Sequence, residues 1–301
     1  MPDHRVCFDF DIRFSNGGGI QGQDFRLDIE GDEIDDEALA AHIIRDLRLL
    51  MVGEVRILNK RIIAERHKRA PAPAEAESEG ADGRRLIDLS HTIEHGTITY
   101  KGLPAPLICD YLSREASRAN YADGTEFQIG RIDMVSNTGT YIDTPFHRYA
   151  DGHDLAGLPL QRAADLPGLL VRVERAADAA VDWQHFAPLD CRGHAVLVHT
   201  GWDRHWGSDA YFENHPFLTE RAATFLRDAG AALVGIDSHN IDDTRGRTRP
   251  VHTVLLGAGI PIVEHMTGLS ALPASGFRFS AVPPKIRGMG TFPVRAFARL
   301  D

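Results

Sequence analysis

The sequence predicts a mixed α/β protein in which a sheet- or barrel-like main domain follows a small α+β domain. Three observations carry this expectation. From Leu86 onward the apolar runs are short and punctuated by turns, at 86–89, 169–173, 195–199, 232–236, 260–263 and 277–282, with few helical stretches between them. The first 67 residues carry alternating and helical patterns of their own. Between these two parts lies a stretch rich in Pro, Ala, Glu and Gly and poor in apolar residues, which reads as a linker.

Taken in order, Phe8, Phe10, Ile12 and Phe14 alternate with Asp9, Asp11 and Arg13. After a turn at Ser15-Asn16-Gly17-Gly18-Gly19 the alternation resumes at Phe25, Leu27 and Ile29, which is a hairpin with one buried face. The glycine run lacks the Lys-Ser/Thr and helix start of a phosphate cradle, so it reads as a turn. Asp35 or Asp36 is then expected to cap a helix with Leu39, Ile43, Ile44, Leu47 and Leu50 on one face, closing near Gly53. Val55, Ile57, Ile62 and Ile63 continue as strand around a turn at Asn59-Lys60. The expected divisions are a small α+β domain at 1–67, a linker at 68–85 and the main domain at 86–301. In the main domain, Thr219 should cap a helix bearing Ala222, Ala223, Phe225, Leu226 and Ala229, with Gly230 at its end. No internal repeat is visible.

The 301 residues are 43% hydrophobic and 25% charged, an ordinary globular composition that argues against whole-chain disorder or fibres. A formal net charge of −10 argues against a nucleic-acid partner. No run approaches the roughly 18 apolar residues of a membrane span, and the charged opening differs from a signal peptide, so the chain is expected in the cytoplasm without a membrane partner. Cys7, Cys109 and Cys191 are isolated and without CxxC spacing, so each reads as a small buried hydrophobe. With 15 histidines and 43 acidic residues, any metal site must be built from imidazole and carboxylate.

The densest cluster of chemically able residues is Ser136-Asn137-Thr138-Gly139-Thr140-Tyr141-Ile142-Asp143-Thr144-Pro145-Phe146-His147. On an extended backbone Asn137, Gly139, Tyr141 and Asp143 would share one face, and Pro145 would end the strand so that His147 turns back toward it. A capped surface strand with a stacked histidine fits the same spacing. A second cluster holds His252, at the start of a short helical turn, and Glu264, at the end of an apolar strand where a carboxylate is costly unless paired or metal-bound.

From Leu86 onward the chain resembles the cyclase family of metal-dependent hydrolases, which includes bacterial kynurenine formamidases and isatin hydrolases. The matching segments are Asp88-Leu89-Ser90-His91, Thr200-Gly201-Trp202, Val234-Gly235-Ile236-Asp237, the His252 and Glu264 segments, and Pro293-Val294-Arg295-Ala296. The family signature His-x-Gly-Thr-His-x-Asp-x-Pro-x-His is met here by Asn-Thr-Gly-Thr-Tyr-Ile-Asp-Thr-Pro-Phe-His.

The resemblance implies the family's swivelling β/α/β fold. It makes Asp143, His252 and Glu264 metal ligands and His147 the catalytic acid/base, while Asn137 and Tyr141 stand where two ligand histidines would be. Amide and phenol are poorer ligands than imidazole, so one divalent ion, zinc or manganese, is expected in place of two. His239, in Ser238-His239-Asn240, is a candidate replacement ligand or substrate contact; a loop histidine with no role fits equally. Tyr141, freed from ligation, is a candidate oxyanion donor, and Phe146 and Trp202 are candidate pocket walls.

The implied activity is hydrolysis of an amide, lactone or ester bond in a small aromatic or cyclic molecule by metal-activated water, with His147 as general acid/base. The expected partners are that substrate and further copies of the chain. The rival reading is a non-catalytic binding protein on the same fold with a degenerate metal site.

Overall fold

A computed structural model describes residues 3–15, 18–29, 31–47, 49, 52–65, 85–173 and 180–300. The contacts divide the chain into two compact units, each described by itself below.

The first unit is a five-stranded antiparallel sheet in the order Val52–Glu65, Asp3–Phe14, Gly19–Asp28, Leu107–Leu112 and Ile129–Asp133. The expected hairpin forms, with Phe8 opposite Phe25 and Ile12 opposite Ile20. Val6, Phe8, Phe10, Ile12, Phe25 and Leu27 bury one face against Leu39 and Ile43 of the helix Asp36–Asp46. That helix is capped as the sequence predicts, since Asp35 accepts from Ala38 N at 2.7 Å. It ends at Asp46, before the Gly53 closure expected from the sequence.

The expected turn at Asn59-Lys60 is replaced by a bulge within one long strand. Asn59 takes a left-handed φ of +50° while the pairing with Asp3–Phe14 shifts register. Its side chain donates to Asp9 Oδ2 at 2.6 Å. This sheet also takes two strands from beyond residue 86, so the contact grouping differs from the boundary expected there. Leu107 and Cys109 alternate inward and extend the same core, a pattern too short to assign to one sheet from the sequence. Of the expected linker, 68–84 lie outside the described residues, and Arg85 begins a strand.

The second unit is mixed α/β. Its nine-stranded sheet runs Thr291–Pro293, Tyr141–Asp143, Ile262–Glu264, Leu233–Ile236, Ala195–His199, Leu166–Arg172, Ser275–Ser280, Phe297–Leu300 and Arg85–Asp88. Ile262–Glu264, Leu233–Ile236, Ala195–His199 and Leu166–Arg172 pair in parallel, and the outer strands are antiparallel. Both faces are covered, which is why the central strands read as unbroken apolar runs. Ala195, Leu197 and Val263 face one core, while Val196, Val198 and Ile262 face the other, which they share with the helices Glu220–Asp228 and Pro250–Gly257. Thr219 caps the first of these helices by accepting from Ala222 N at 3.1 Å.

Two pairs of distant segments are tied by polar contacts. Asp237 accepts from Thr200 N and Gly201 N, each at 2.8 Å, and Arg295 Nε donates to Asp88 Oδ2 at 2.9 Å. Cys7, Cys109 and Cys191 are free and buried, as expected. Among the described residues no helix is long and apolar enough to cross a membrane.

Candidate active site

Strand pairing assembles the site. Tyr141–Asp143 runs antiparallel to Ile262–Glu264, with Tyr141 opposite Glu264 and Asp143 opposite Ile262. Only these three residues of the 136–143 segment are strand. Gly139 takes a φ of +64°, and a Cβ there would lie 2.7 Å from Ile93 Cγ1, so its space is filled by Ile93 and not left open on the site face. Pro145 ends the strand as expected and starts a 3₁₀ turn, Pro145–His147, that presents His147. The turn is held by Gly290, whose carbonyl accepts from Thr144 N at 2.8 Å and Thr144 Oγ1 at 2.9 Å. A Cβ on Gly290 would lie 2.6 Å from His147 Cα.

His252 enters from the first turn of Pro250–Gly257. Asp242 accepts from Val251 N at 2.8 Å and His252 N at 3.0 Å, so a buried carboxylate caps this helix. The same carboxylate lies 2.6 Å from His252 Nδ1, which fixes the ring so that Nε2 faces inward. Nε2 lies 3.5 Å from Asp143 Oδ2 and 3.8 Å from Glu264 Oε1. Burial works against a charged His252, but the Asp143 and Asp242 carboxylates outweigh it and push its pKa up to about 10.

Asp143, His147 and His252 each bring one donor atom within 4.8 Å of the others. Asp143 and His252 are buried, whereas His147 is exposed. Both Asp143 oxygens are buried without a well-formed hydrogen bond among the described residues, which is costly for a carboxylate unless a cation occupies the position beside it. This carboxylate and the inward-facing imidazole 3.5 Å from it fit a divalent ion.

Glu264 behaves differently. Its Oε1 accepts from Ile241 N at 2.6 Å, and its Oε2 accepts from the Tyr141 hydroxyl at 2.5 Å and, at 3.4 Å, from Asn240. The three-group convergence therefore contains His147 where the sequence leads one to expect Glu264. The Tyr141 phenol holds Oε2 of this carboxylate while the Ile241 amide holds Oε1. The Tyr141 hydroxyl is thus committed to Glu264, whereas an oxyanion donor needs it turned to open space. Burial and the Glu264 charge push this phenol well above the usual tyrosine range.

Asn137 accepts from Thr291 Oγ1 at 3.2 Å, and its carbonyl accepts from Thr99 Oγ1 at 3.1 Å.

His239 is buried, with Nδ1 unpartnered among the described residues, and burial lowers its pKa to about 3. Its carbonyl accepts from His265 Nε2 at 2.7 Å. Around its ring stand Tyr100, Phe212 and Tyr211, with centroids at 4.6, 5.2 and 5.7 Å. Trp202 instead contacts His205 and donates to the Tyr211 carbonyl at 3.0 Å, and Phe146 is half-buried in the His147 turn. The sequence reasoning missed Asp242, Asn240, Tyr100 and Gly290. Of these only Asp242 carries a sequence signal, as an acid ahead of a Pro-started helix.

Residues 87–243 match the Cyclase family model. Kynurenine formamidase from Geobacillus thermodenitrificans is 28% identical over 185 residues, covering 61% of this chain and 85% of that protein. Kynurenine formamidase from Salinibacter ruber is 29% identical over 219 residues, covering 71% and 97%. Isatin hydrolase A from Labrenzia aggregata, solved with benzyl benzoate, shares the fold with a TM-score of 0.62 at 22% identity, over 72% of this chain and 94% of that one. With the family model matched over more than half its length and the signature Asp and His brought together with His252, the chain belongs to the cyclase family of metal-dependent hydrolases.

Proposed function

We propose that the protein hydrolyses an amide bond, such as an aryl formamide, or a lactone or ester bond in a small aromatic or cyclic substrate, with the help of one divalent ion, zinc or manganese. The observation that carries this reading is the buried Asp143 carboxylate, which makes no well-formed hydrogen bond among the described residues and has the His252 Nε2 3.5 Å away, with His147 converging on the same point within 4.8 Å. Names of the relatives support the bond type, since formamidases and isatin hydrolases are hydrolytic enzymes.

Asp143 and His252 would hold the ion, with Glu264 on the buried side and His147 on the exposed side. When bound, such an ion supplies Lewis acidity that acidifies water and polarises a carbonyl. His147 is the one exposed member of the group, so its proton exchanges with solvent. It takes a proton from the attacking water as the oxygen bonds to the carbonyl carbon. It returns that proton to the leaving nitrogen as the C–N bond breaks, releasing acid and amine. Asp242 keeps the His252 ring oriented throughout, and Tyr141 keeps Glu264 in place.

The same reading makes the protein a cytoplasmic oligomer of identical chains that acts on a small molecule, without a nucleic-acid or membrane partner. An assay of formanilide hydrolysis with and without a chelator tests the reading. Turnover that is lost on chelation and restored by zinc or manganese is expected. Metal binding without turnover of any amide, lactone or ester would favour the non-catalytic binding protein.

A further inference from the structure

Among the described residues no hydrogen bond reaches the His147 ring, and its ring neighbour is His252 at 5.9 Å between centroids. The backbone of the Pro145–His147 turn therefore sets where this imidazole stands. Two segments grip that turn. On one side Phe146 N donates to the His153 carbonyl at 3.0 Å, and a Cβ on Gly152 would lie 2.7 Å from Pro145 C. On the other side the Gly290 carbonyl accepts from Thr144 N, and a Cβ on Gly290 would press on His147 N. The turn is wedged between these glycines without spare room, so a shift of either segment moves it.

Asp154 joins the two segments. Its Oδ2 accepts from Gly288 N at 2.7 Å and its Oδ1 from Gly157 N at 2.8 Å, while Leu155 N donates to the Met289 carbonyl at 2.9 Å. Both carboxylate oxygens are thus taken by main-chain donors, one of them 134 residues away in the loop that carries Gly290. Bonds of this charge-assisted kind are the stronger ones. Leu155 and Met289 already pack in the core, so the carboxylate adds no burial; it fixes how the two segments are set against each other.

We infer that Asp154 is a positioning residue for His147, because it locks the 288–290 loop to the 152–157 segment and so keeps the imidazole within reach of Asp143 and His252. The kinetic consequence rests on the hydrolase reading above, to which the inference adds a residue outside the convergent group.

The test uses the zinc-loaded full chain with two variants, Asp154→Ala and the isosteric Asp154→Asn, which keeps one acceptor. Formanilide kinetics are read beside the NMR signal of the His147 ring in histidine-labelled protein, assigned by its absence in His147→Ala. Asp154→Ala should lower kcat by about tenfold, as expected when a reacting group loses its placement, with KM and zinc content within about twofold of wild type. Asp154→Asn should lower kcat by about threefold, the effect of one hydrogen bond. In both variants the His147 signal should shift or broaden while those of His199 and His215 stay in place, which a general loss of stability would not produce. Should Asp154→Ala fail to fold, Asp154→Asn decides by the same two readouts. Wild-type kcat in the folded variants, an unmoved His147 signal, or an equal change in all three histidine signals would overturn the inference. Failure of the hydrolase reading would show separately, as wild-type protein that turns over no amide, lactone or ester, while the NMR signal still reports whether Asp154 places His147.

Discussion

The Tyr141 hydroxyl donates to Glu264 Oε2 across 2.5 Å, with both side chains closed off from solvent. The contact follows from strand register, which sets Tyr141 opposite Glu264. It satisfies one oxygen of a buried carboxylate whose other oxygen is held by Ile241 N at 2.6 Å.

Tyr141→Phe removes this donor and leaves Oε2 with the long 3.4 Å contact to Asn240. In metal-free protein the variant should lose about 1–3 kcal/mol, the cost of leaving a buried acceptor poorly satisfied. Urea unfolding measures it, and an unchanged midpoint and slope would mean that the phenol does not hold Glu264.

His147 depends on Gly290, where any side chain would press on the His147 backbone. Gly290→Ala should therefore lower kcat by about tenfold or more while metal content is kept, because it displaces a proton-transfer group. His147→Ala should lower kcat by about a hundredfold or more and also keep the metal. Wild-type kcat in both variants would remove His147 from proton transfer; loss of the ion from His147→Ala would make it a ligand instead.

Acid should destabilise the metal-free protein through its buried histidines. Burial lowers the pKa of His91 to about 4 and of His239 to about 3, and it also lowers His215 and, further, His265. In each case the folded pKa lies below the unfolded one, so the unfolded chain binds more protons once the pH falls below about 6.5. Stability is then full above that pH and declines toward the folded values, by up to about 1.4 kcal/mol per pH unit for each group. Burial raises Asp237 and Glu264 to about 7, and these carboxyls work in the opposite sense between about pH 7 and pH 5, so the histidine contribution is read as a difference between variants. In His91→Gln the proton uptake on unfolding near pH 5 should drop by about one, and an unchanged uptake would mean that the His91 ring is charged in the fold.

Much of the fold can be read locally. Thr219 and Asp35 announce their helices because a capping oxygen acts within three residues. The apolar runs at 195–199 and 232–236 read as strands because both sheet faces are covered. Leu107–Leu112 and Ile129–Asp133 are harder to place, since a short alternating strand fits any sheet until its partners are known. In the site, the spacing of Asp143 and His147 marks the chemistry, and Pro145 marks the turn between them. Asp242 and Gly290 act on His252 and His147 from 10 and 143 residues away, and such placement leaves no periodic trace. The capture of Glu264 by Tyr141 requires knowledge of register, so an altered ligand position is visible in the sequence while its new hydrogen bond is not.

The central claim is that Asp143 and His252 hold one divalent ion that hydrolysis requires, and elemental analysis of gently purified protein alongside a formanilide assay tests it most directly. Wild type should carry about one zinc or manganese per chain, and Asp143→Asn should retain less than about a tenth of that and lose turnover, because the buried Asp143 carboxylate makes no well-formed hydrogen bond among the described residues and is the charge that a cation would balance. Two tightly bound ions per wild-type chain, or an Asp143→Asn variant that keeps both its ion and its activity, would contradict the account.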